Sequence, residues 1–408
     1  MKKLLILGGG TAGTMMANSL VDRLGTEWQV TVVEPDRHHV YQPGLLFLPF
    51  GMLDDRKLTR PRNHTFKRGV QWKPLAIRQM DHAKKSVVLD DDSVLEYDLA
   101  ILASGTRIRP DMTPGLEDGP IAGVHDFYTV RGAQALRSAL ANFKGGRLVV
   151  NVVEMPIKCP VAPLEFLFLA DDYFKRRGMR DDVELVYATP LDAAFTKPYA
   201  AKTLGYLLEE KNIRLETEFM TAEVTDRRLV SYDERHVGFD LLVSVPIHSG
   251  AAFIGTSELG DELDFVPTDK HTLRALQMED VFVLGDATDL PSSKAGSVAH
   301  FQAEILKQNI QDYVADKPMK AAFDGHANCF VETGGGKAML IDFNYDVEPL
   351  PGYFPVPHLG PFSLMAESRI NHWGKLAFRP IYWHALLPGR PLPISPQMNL
   401  SGKKQIAS

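Results

Sequence analysis

An α/β protein with parallel, doubly wound sheets is what this sequence predicts, and three stretches predict it. Leu4-Leu-Ile-Leu7 is a short apolar run that stops at Gly8-Gly-Gly10-Thr-Ala-Gly13 and leads into a helical stretch, Thr14 to Leu24. Gln29-Val-Thr-Val-Val33 is a second apolar run, and it ends in an acid, Glu34. Further on, Arg147–Val153 and Val183–Ala188 are again continuous apolar strands, with the helix Leu164–Arg177 between them. Apolar strands alternating with helices belong to parallel sheets covered on both faces.

Each element has its own chemical reason. Gly8 permits a tight turn, Gly10 lets backbone approach a pyrophosphate, and Gly13 allows close helix–strand packing. Thr11 and Ala12 lie in the same turn, where the helix N-terminus supplies N–H donors to phosphates. Glu34 stands 21 residues past Gly13, where a carboxylate accepts ribose hydroxyls. Tyr97–Thr106 is a buried strand running into the small-residue turn Ser104-Gly105. Val281-Phe-Val-Leu-Gly-Asp286 is another, ending in Gly285-Asp286; alone, Asp286 would read as a turn residue.

The chain of 408 residues is 45% hydrophobic, enough for two to four domains with a large core. A net charge of −6 gives no reason to expect nucleic acid as a partner. The last 47 residues, from Phe362, carry six basic residues against the single acid Glu367, an asymmetry that suits a membrane-facing tail. Cys159 and Cys329 are too few for a disulfide framework, no cluster suggests a metal, and a reducing cytoplasm is expected. No targeting segment is visible, and no apolar run approaches the ~18 residues of a membrane span.

Taken in order, the glycine turn, the Ser104-Gly105 strand end and Gly285-Asp286 resemble the two-dinucleotide-binding-domain flavoproteins. The resemblance implies two Rossmann-like domains, with the FAD domain (1–110 and 265–325) split by an inserted second domain (111–264). FAD would be held by Gly8, Gly10, Thr11, Ala12, Gly13, Glu34, Ser104, Gly105, Gly285 and Asp286, with Lys294 alongside. The turn after Arg147–Val153 departs from members that oxidise NAD(P)H. It reads Glu154-Met-Pro-Ile-Lys-Cys159-Pro-Val-Ala-Pro163, without a glycine, and its prolines remove donors that a second pyrophosphate needs.

A lone cysteine is ordinarily a small buried hydrophobe, although one just before a helix N-terminus gains thiolate character. Lys158-Cys159-Pro-Val-Ala-Pro163 nevertheless resembles the Lys-Cys-x-x-x-Pro stretch of the sulfide:quinone oxidoreductase family and the related flavocytochrome c sulfide dehydrogenases. Val245-Pro-Ile-His-Ser-Gly250, Leu290–Gln302, Asn328-Cys329-Phe330 and Gly335–Phe343 extend the likeness over most of the chain. The resemblance implies that Cys159 and Cys329 form a redox pair: hydrosulfide attacks one sulfur, a persulfide forms, and two electrons pass to the flavin. It also makes Glu165 a base near the flavin, against the alternative of a solvated or capping carboxylate. Lys294 would stabilise charge on reduced flavin, against a surface lysine. Tyr128 stands where many members have a third cysteine, so FAD is expected to be non-covalent, and the chain is an outlying branch.

At the C-terminus (326–408) the expectation is an amphipathic region that meets a membrane and a quinone. Ile370, Trp373 and Ala377 share a helical face, Arg369 and Lys375 lie elsewhere, and Tyr382 and Trp383 are types favoured at a headgroup boundary. A helix packed on the protein's own core is the other reading. Phe330 and Phe362 resemble the aromatic residues that sandwich a quinone, and a chain ending before Phe362 is expected to keep its flavin. Expected partners are sulfide or a related sulfur compound and a membrane quinone, at the cytoplasmic face of the inner membrane, bound peripherally. Type II NADH:quinone oxidoreductase, a flavocytochrome c sulfide dehydrogenase subunit and a degenerate flavin-binding protein are the competing functions. The sulfur donor, the product chain length, the quinone and the oligomeric state, homo-oligomer included, are left open.

Overall fold

The structure, a computed structural model, describes residues 1–117, 123–357 and 359–404. Parts of the expected second domain (118–122) and C-terminal region (405–408) lie outside the described residues. The first sheet begins with β1 (Lys2–Leu7), α1 (Thr11–Arg23), β2 (Trp28–Val33), β3 (Val70–Lys73) and β4 (Leu99–Leu102). A fifth strand, β9 (Val281–Val283), joins it from far along the chain, so the order is β9-β4-β1-β2-β3, all parallel. The helix α1 starts at Thr11 rather than Thr14, directly after Gly10, because the glycine turn is itself the helix entry. A Cβ on Gly13 would stand 1.9 Å from the Gly8 carbonyl oxygen, the close helix–strand packing that its position implied.

Between the two halves lies a second parallel sheet with its own helices. It is made of β5 (Gly146–Val152), α3 (Ala162–Arg176), β6 (Val183–Ala188), α4 (Pro198–Glu210), β7 (Ile213–Glu216) and β8 (Leu241–Val245). The strand Val124–His125 pairs with β8 at one edge, and α2 (Val130–Asn142) follows it. From that edge the order is β8-β5-β6-β7, all parallel. The strands are buried on both faces, which is why they read as continuous apolar runs.

After α5 (Gly296–Val314) the chain builds a four-stranded sheet. β10 (Ala327–Gly334) and β11 (Lys337–Phe343) form a hairpin; β12 (Gly352–Val356) and β13 (Gly360–Leu364) form another, joined through Leu340 and Leu364. The helix α6 (Arg369–Ile381) is capped by the Ser368 hydroxyl, which accepts from Asn371 N–H at 3.0 Å. Among the described residues no helix is long and apolar enough to cross a membrane.

The C-terminal segment is bound into the fold more deeply than its sequence suggests. Asn18 donates to the Leu387 carbonyl at 2.8 Å, and Lys403 pairs with the buried Asp342. Tyr382 and Trp383 are buried rather than held at a surface boundary. Tyr382 packs against Tyr41 and His39, and Arg60 lies 4.4 Å above the Trp383 ring. Two of the six C-terminal cations, Lys375 and Lys403, are neutralised by internal carboxylates, so the positive charge left for an outside surface is smaller than the count implied.

Candidate active site

A cavity of about 540 Å³ runs from the glycine turn, past the end of β9, to the turn before α3. Its volume falls in the range of cofactor sites, roughly 300–1,000 Å³. Gly8, Gly10, Thr11, Ala12, Glu34, Ser104, Gly105, Gly285, Asp286 and Lys294 all line it, as do Cys159 and Glu165. Gly13 does not; it serves the packing behind the turn.

One end of the cavity lies between the glycine turn and Glu34. Gly10 has open space where a Cβ would be, and Glu34 is fixed by Gly9 N–H at 2.9 Å and Asp36 N–H at 3.0 Å. Ser104 Oγ is buried and has no protein partner. Arg62, which the sequence did not mark, binds the Gly9 and His38 carbonyls beneath Glu34. Tyr382 reaches this end from the far C-terminus: its hydroxyl meets Thr11 Oγ1 at 2.7 Å and His39 Nε2 at 2.6 Å. Burial, with Arg62 adding to it, pushes His39 down to about 3 and keeps the ring neutral.

Around the Gly-Asp turn, Lys294 is buried rather than on the surface. Its ammonium donates to the Asp286 carbonyl at 2.9 Å and the Thr288 carbonyl at 2.6 Å, and it sits 3.8 Å above the Phe265 ring. Burial pushes it down to about 8, while Asp286 opposes the shift. Asp286 is in turn pushed up by burial.

The turn that in other sequences would cradle a second dinucleotide is folded onto this same cavity. Cys159 N–H donates to the Lys294 carbonyl at 2.6 Å, and Lys158 donates to Gln42 at 2.9 Å. Cys159 itself is held at φ +53°, with α3 beginning three residues later at Ala162. The expected thiolate character is not what this setting gives. Burial, then the Glu165 carboxylate, raises the Cys159 thiol far above its ordinary value and outweighs any helix dipole. Burial likewise pushes Cys329, in the middle of β10, up to about 11.

Glu165 is neither a solvated nor a capping residue. Fully buried on α3, it accepts from Glu332 N–H at 2.8 Å and forms an ion pair with Lys375 of α6. Its second oxygen has no partner, and burial raises its proton affinity. Lys375 also donates to the Phe330 carbonyl at 2.7 Å, and its charge lowers both thiols while that of Glu165 raises them. The pair therefore stands beside both cysteines. Lys375, expected to face away from the apolar stripe, turns into the site instead. Both cysteines are free thiols, and Cys159 acts on the Tyr128 phenol, which lines the cavity where a third cysteine was sought.

Phe330 and Phe362 do meet, with ring centroids 5.1 Å apart and planes at 79°. They touch edge to face over Gly374 of α6, where a Cβ would be 2.5 Å from Phe362 and 2.8 Å from Phe330. Such an edge-to-face arrangement is a favoured geometry for an aromatic pair.

A cavity at a strand–glycine-turn–helix unit, lined also by Cys159, can be set beside what is known of similar proteins. Residues 2–151 match the family described as pyridine nucleotide-disulphide oxidoreductase. The mitochondrial sulfide:quinone oxidoreductase of Mus musculus is 26% identical over 95% of this chain and 86% of its own length. That of Schizosaccharomyces pombe is 26% identical over 94% and 89%. The chain is a homologue of the sulfide:quinone oxidoreductases. The crystal structure of the enzyme from Aquifex aeolicus superimposes with a TM-score of 0.81 at 16% identity, covering 96% of this chain and 92% of that one. A type II NADH:quinone oxidoreductase from Haemophilus influenzae is 24% identical over 79% of the chain and 82% of its own length. The chain is a flavoprotein oxidoreductase, and its cofactor is FAD. The open Gly10 face, the tethered Glu34 and the unpartnered Ser104 hydroxyl fit that cofactor.

Four residues of the site escaped the sequence reading. Arg62 and His39 are ordinary residues in unremarked positions, and Tyr382, expected at a headgroup boundary, reaches Thr11 and His39 through contacts spanning more than 300 residues. Lys375 carried a signal, a cation on an amphipathic helix, that pointed outward.

Proposed function

We propose that this chain oxidises sulfide to polysulfide or zero-valent sulfur at Cys159 and Cys329 and delivers the electrons through FAD to a membrane quinone. The observation that carries the reading is the Glu165–Lys375 ion pair, whose charges act on both thiols and which lines the FAD cavity together with Cys159. We read 1–110 with 265–325 as the FAD domain, 111–264 as the inserted domain and 326–408 as the quinone and membrane region.

In the oxidised pair, hydrosulfide would attack one sulfur; the disulfide bond breaks, leaving a persulfide on one cysteine and a thiolate on the other. Lys375 stabilises the thiolate, since its charge lowers both thiols. The unpartnered oxygen of Glu165, raised by burial, receives the proton. When bound, FAD supplies the two-electron acceptor. Lys294, fixed by two carbonyls and pushed down to about 8, holds a positive charge at the cavity wall at neutral pH.

Quinone would approach at Phe330 and Phe362, which lie under α6. The outer face of that helix is apolar: Ile370 is 48% exposed, Trp373 67% and Leu376 45%, and the neighbouring hairpin adds Leu359 at 82%. Such a surface supports peripheral attachment, which we assign to the cytoplasmic face of the inner membrane. Anaerobic addition of sulfide, and separately of NADH, to the purified holoprotein tests the reading. Sulfide should bleach the flavin absorbance and NADH should not; the reverse result would make it an NADH-oxidising enzyme.

A further inference from the structure

On the side of Lys375 away from the cysteines, the buried polar groups continue. Glu332 of β10 is 1% exposed at its side chain, and both its oxygens accept from His372 Nδ1 at 2.9 Å. His372 lies one helical turn before Lys375 on α6 and is partly exposed, beside the outward-facing Trp373. The charged groups facing Glu332 come from two helices packed against β10: Glu165 on α3, and His372 and Lys375 on α6. Its backbone N–H is already committed to Glu165. A line of proton-holding groups thus runs from the thiols through Glu165, Lys375 and Glu332 to an imidazole at the surface, past Phe330 and Gly374.

We propose that Glu332 and His372 form a proton relay between solvent and the Glu165–Lys375 pair. The proposal rests on the function proposed above, whose stoichiometry requires such a path. Oxidising hydrosulfide to sulfane sulfur releases two electrons and one proton; reducing a quinone to quinol consumes two electrons and two protons. Every turnover therefore draws one proton from solvent in addition to the one released by hydrosulfide. Phe330 and Phe362, which stand beside this line, carry no exchangeable side-chain proton. His372 is a positioned donor and acceptor rather than a catalytic residue: it acts on the reacting groups through Glu332.

The test uses the full FAD-loaded protein and the variants His372→Ala, His372→Gln and Glu332→Gln. With a short-chain water-soluble quinone, steady-state turnover of His372→Ala should fall about a hundredfold, in the range of lost proton transfer. Anaerobic bleaching by sulfide, which needs no outside proton, should stay within about twofold of the wild type, and added imidazole should restore the turnover of His372→Ala. A loss shared equally by bleaching and turnover, with no rescue by imidazole, would overturn the relay, as would unchanged turnover. A second readout needs no activity. The infrared band of the protonated Glu332 carboxyl, identified by its disappearance in Glu332→Gln, should titrate at a higher pH in His372→Ala, because the imidazole hydrogen bond lowers Glu332. An unmoved band would show that the two residues are not coupled. Should the wild type fail to bleach with sulfide, the functional reading falls, and the infrared arm decides the relay by itself.

Discussion

Glu165 and Lys375 are 210 residues apart in the sequence and share an ion pair in the protein interior, one on the helix that follows Cys159 and the other on the C-terminal helix. The contact fixes α6 over β10 and sets the electrostatics of both sulfurs at once. Removing one partner of a buried pair leaves the other uncompensated, so Lys375→Met should cost roughly 3 kcal/mol of stability, measurable as a lower thermal midpoint.

The same pair makes thiol reactivity a signed prediction. An ordinary thiol sits at 9.0 and Cys329 is pushed up to about 11, so at pH 8 its thiolate fraction, and its alkylation rate, should be about a hundredfold lower. In the reduced protein the alkylation rate should keep rising beyond pH 10. Lys375→Met removes a charge that lowers both thiols and should shift the profile to still higher pH; Glu165→Gln removes one that raises them and should shift it down. A wild-type midpoint below 9 would contradict this electrostatic account.

Flavin binding should be non-covalent and should depend on Tyr382. Tyr128 offers no sulfur for attachment, so acid precipitation should release all the yellow colour; colour retained on the precipitated chain would refute this. Tyr382→Phe removes the hydroxyl shared by Thr11 and the buried His39, which should weaken FAD by about 1–3 kcal/mol as an unpaired polar group is left behind. Fluorescence titration of the apoprotein with FAD measures the difference.

How much of this was legible in the sequence depended on the range of the contacts. Gly8, Gly13 and Glu34 are local: each lies in or next to one strand–turn–helix unit, so spacing alone was enough to place it. The parallel sheets showed as apolar runs because both faces are buried. Cys159 and Cys329 were found through the sequence motifs around them, and the fold then brought both beside the Glu165–Lys375 pair. Tyr382, Trp383 and Lys375 were misplaced because amphipathic periodicity describes a helix and says nothing about which face meets which neighbour. A surface reading was drawn from residue types that here serve the interior. A chain ending before Phe362 would lose Tyr382 and Lys375 with the deleted segment, and with them the contacts to Thr11, His39 and Glu165.

Membrane attachment is therefore better tested by charge than by truncation. Ile370, Trp373 and Leu376 face outward, while Asn371, His372 and Lys375 face the protein. Trp373→Glu with Ile370→Glu should abolish pelleting with liposomes while leaving the FAD content unchanged. Persistent pelleting would move the attachment surface away from α6.

The two thiols should act as one unit. Cys159 and Cys329 are the only cysteines, so an intramolecular disulfide can join no others, and Glu165 and Lys375 act on both. Serine preserves the size of the side chain but can neither carry a persulfide nor leave as a thiolate. Cys159→Ser and Cys329→Ser should each bind FAD normally and lose sulfide-driven flavin bleaching by orders of magnitude. Because either loss alone disables the pair, the double variant should be no worse than the weaker single one, the non-additivity expected of groups that work together. Stopped-flow bleaching under anaerobic sulfide, with chemical reduction by dithionite to confirm an intact flavin site, measures all three variants. Near-normal bleaching in either single variant would mean that electrons enter the flavin without the pair, and the reading of this cavity as a sulfide-oxidising site would have to be abandoned.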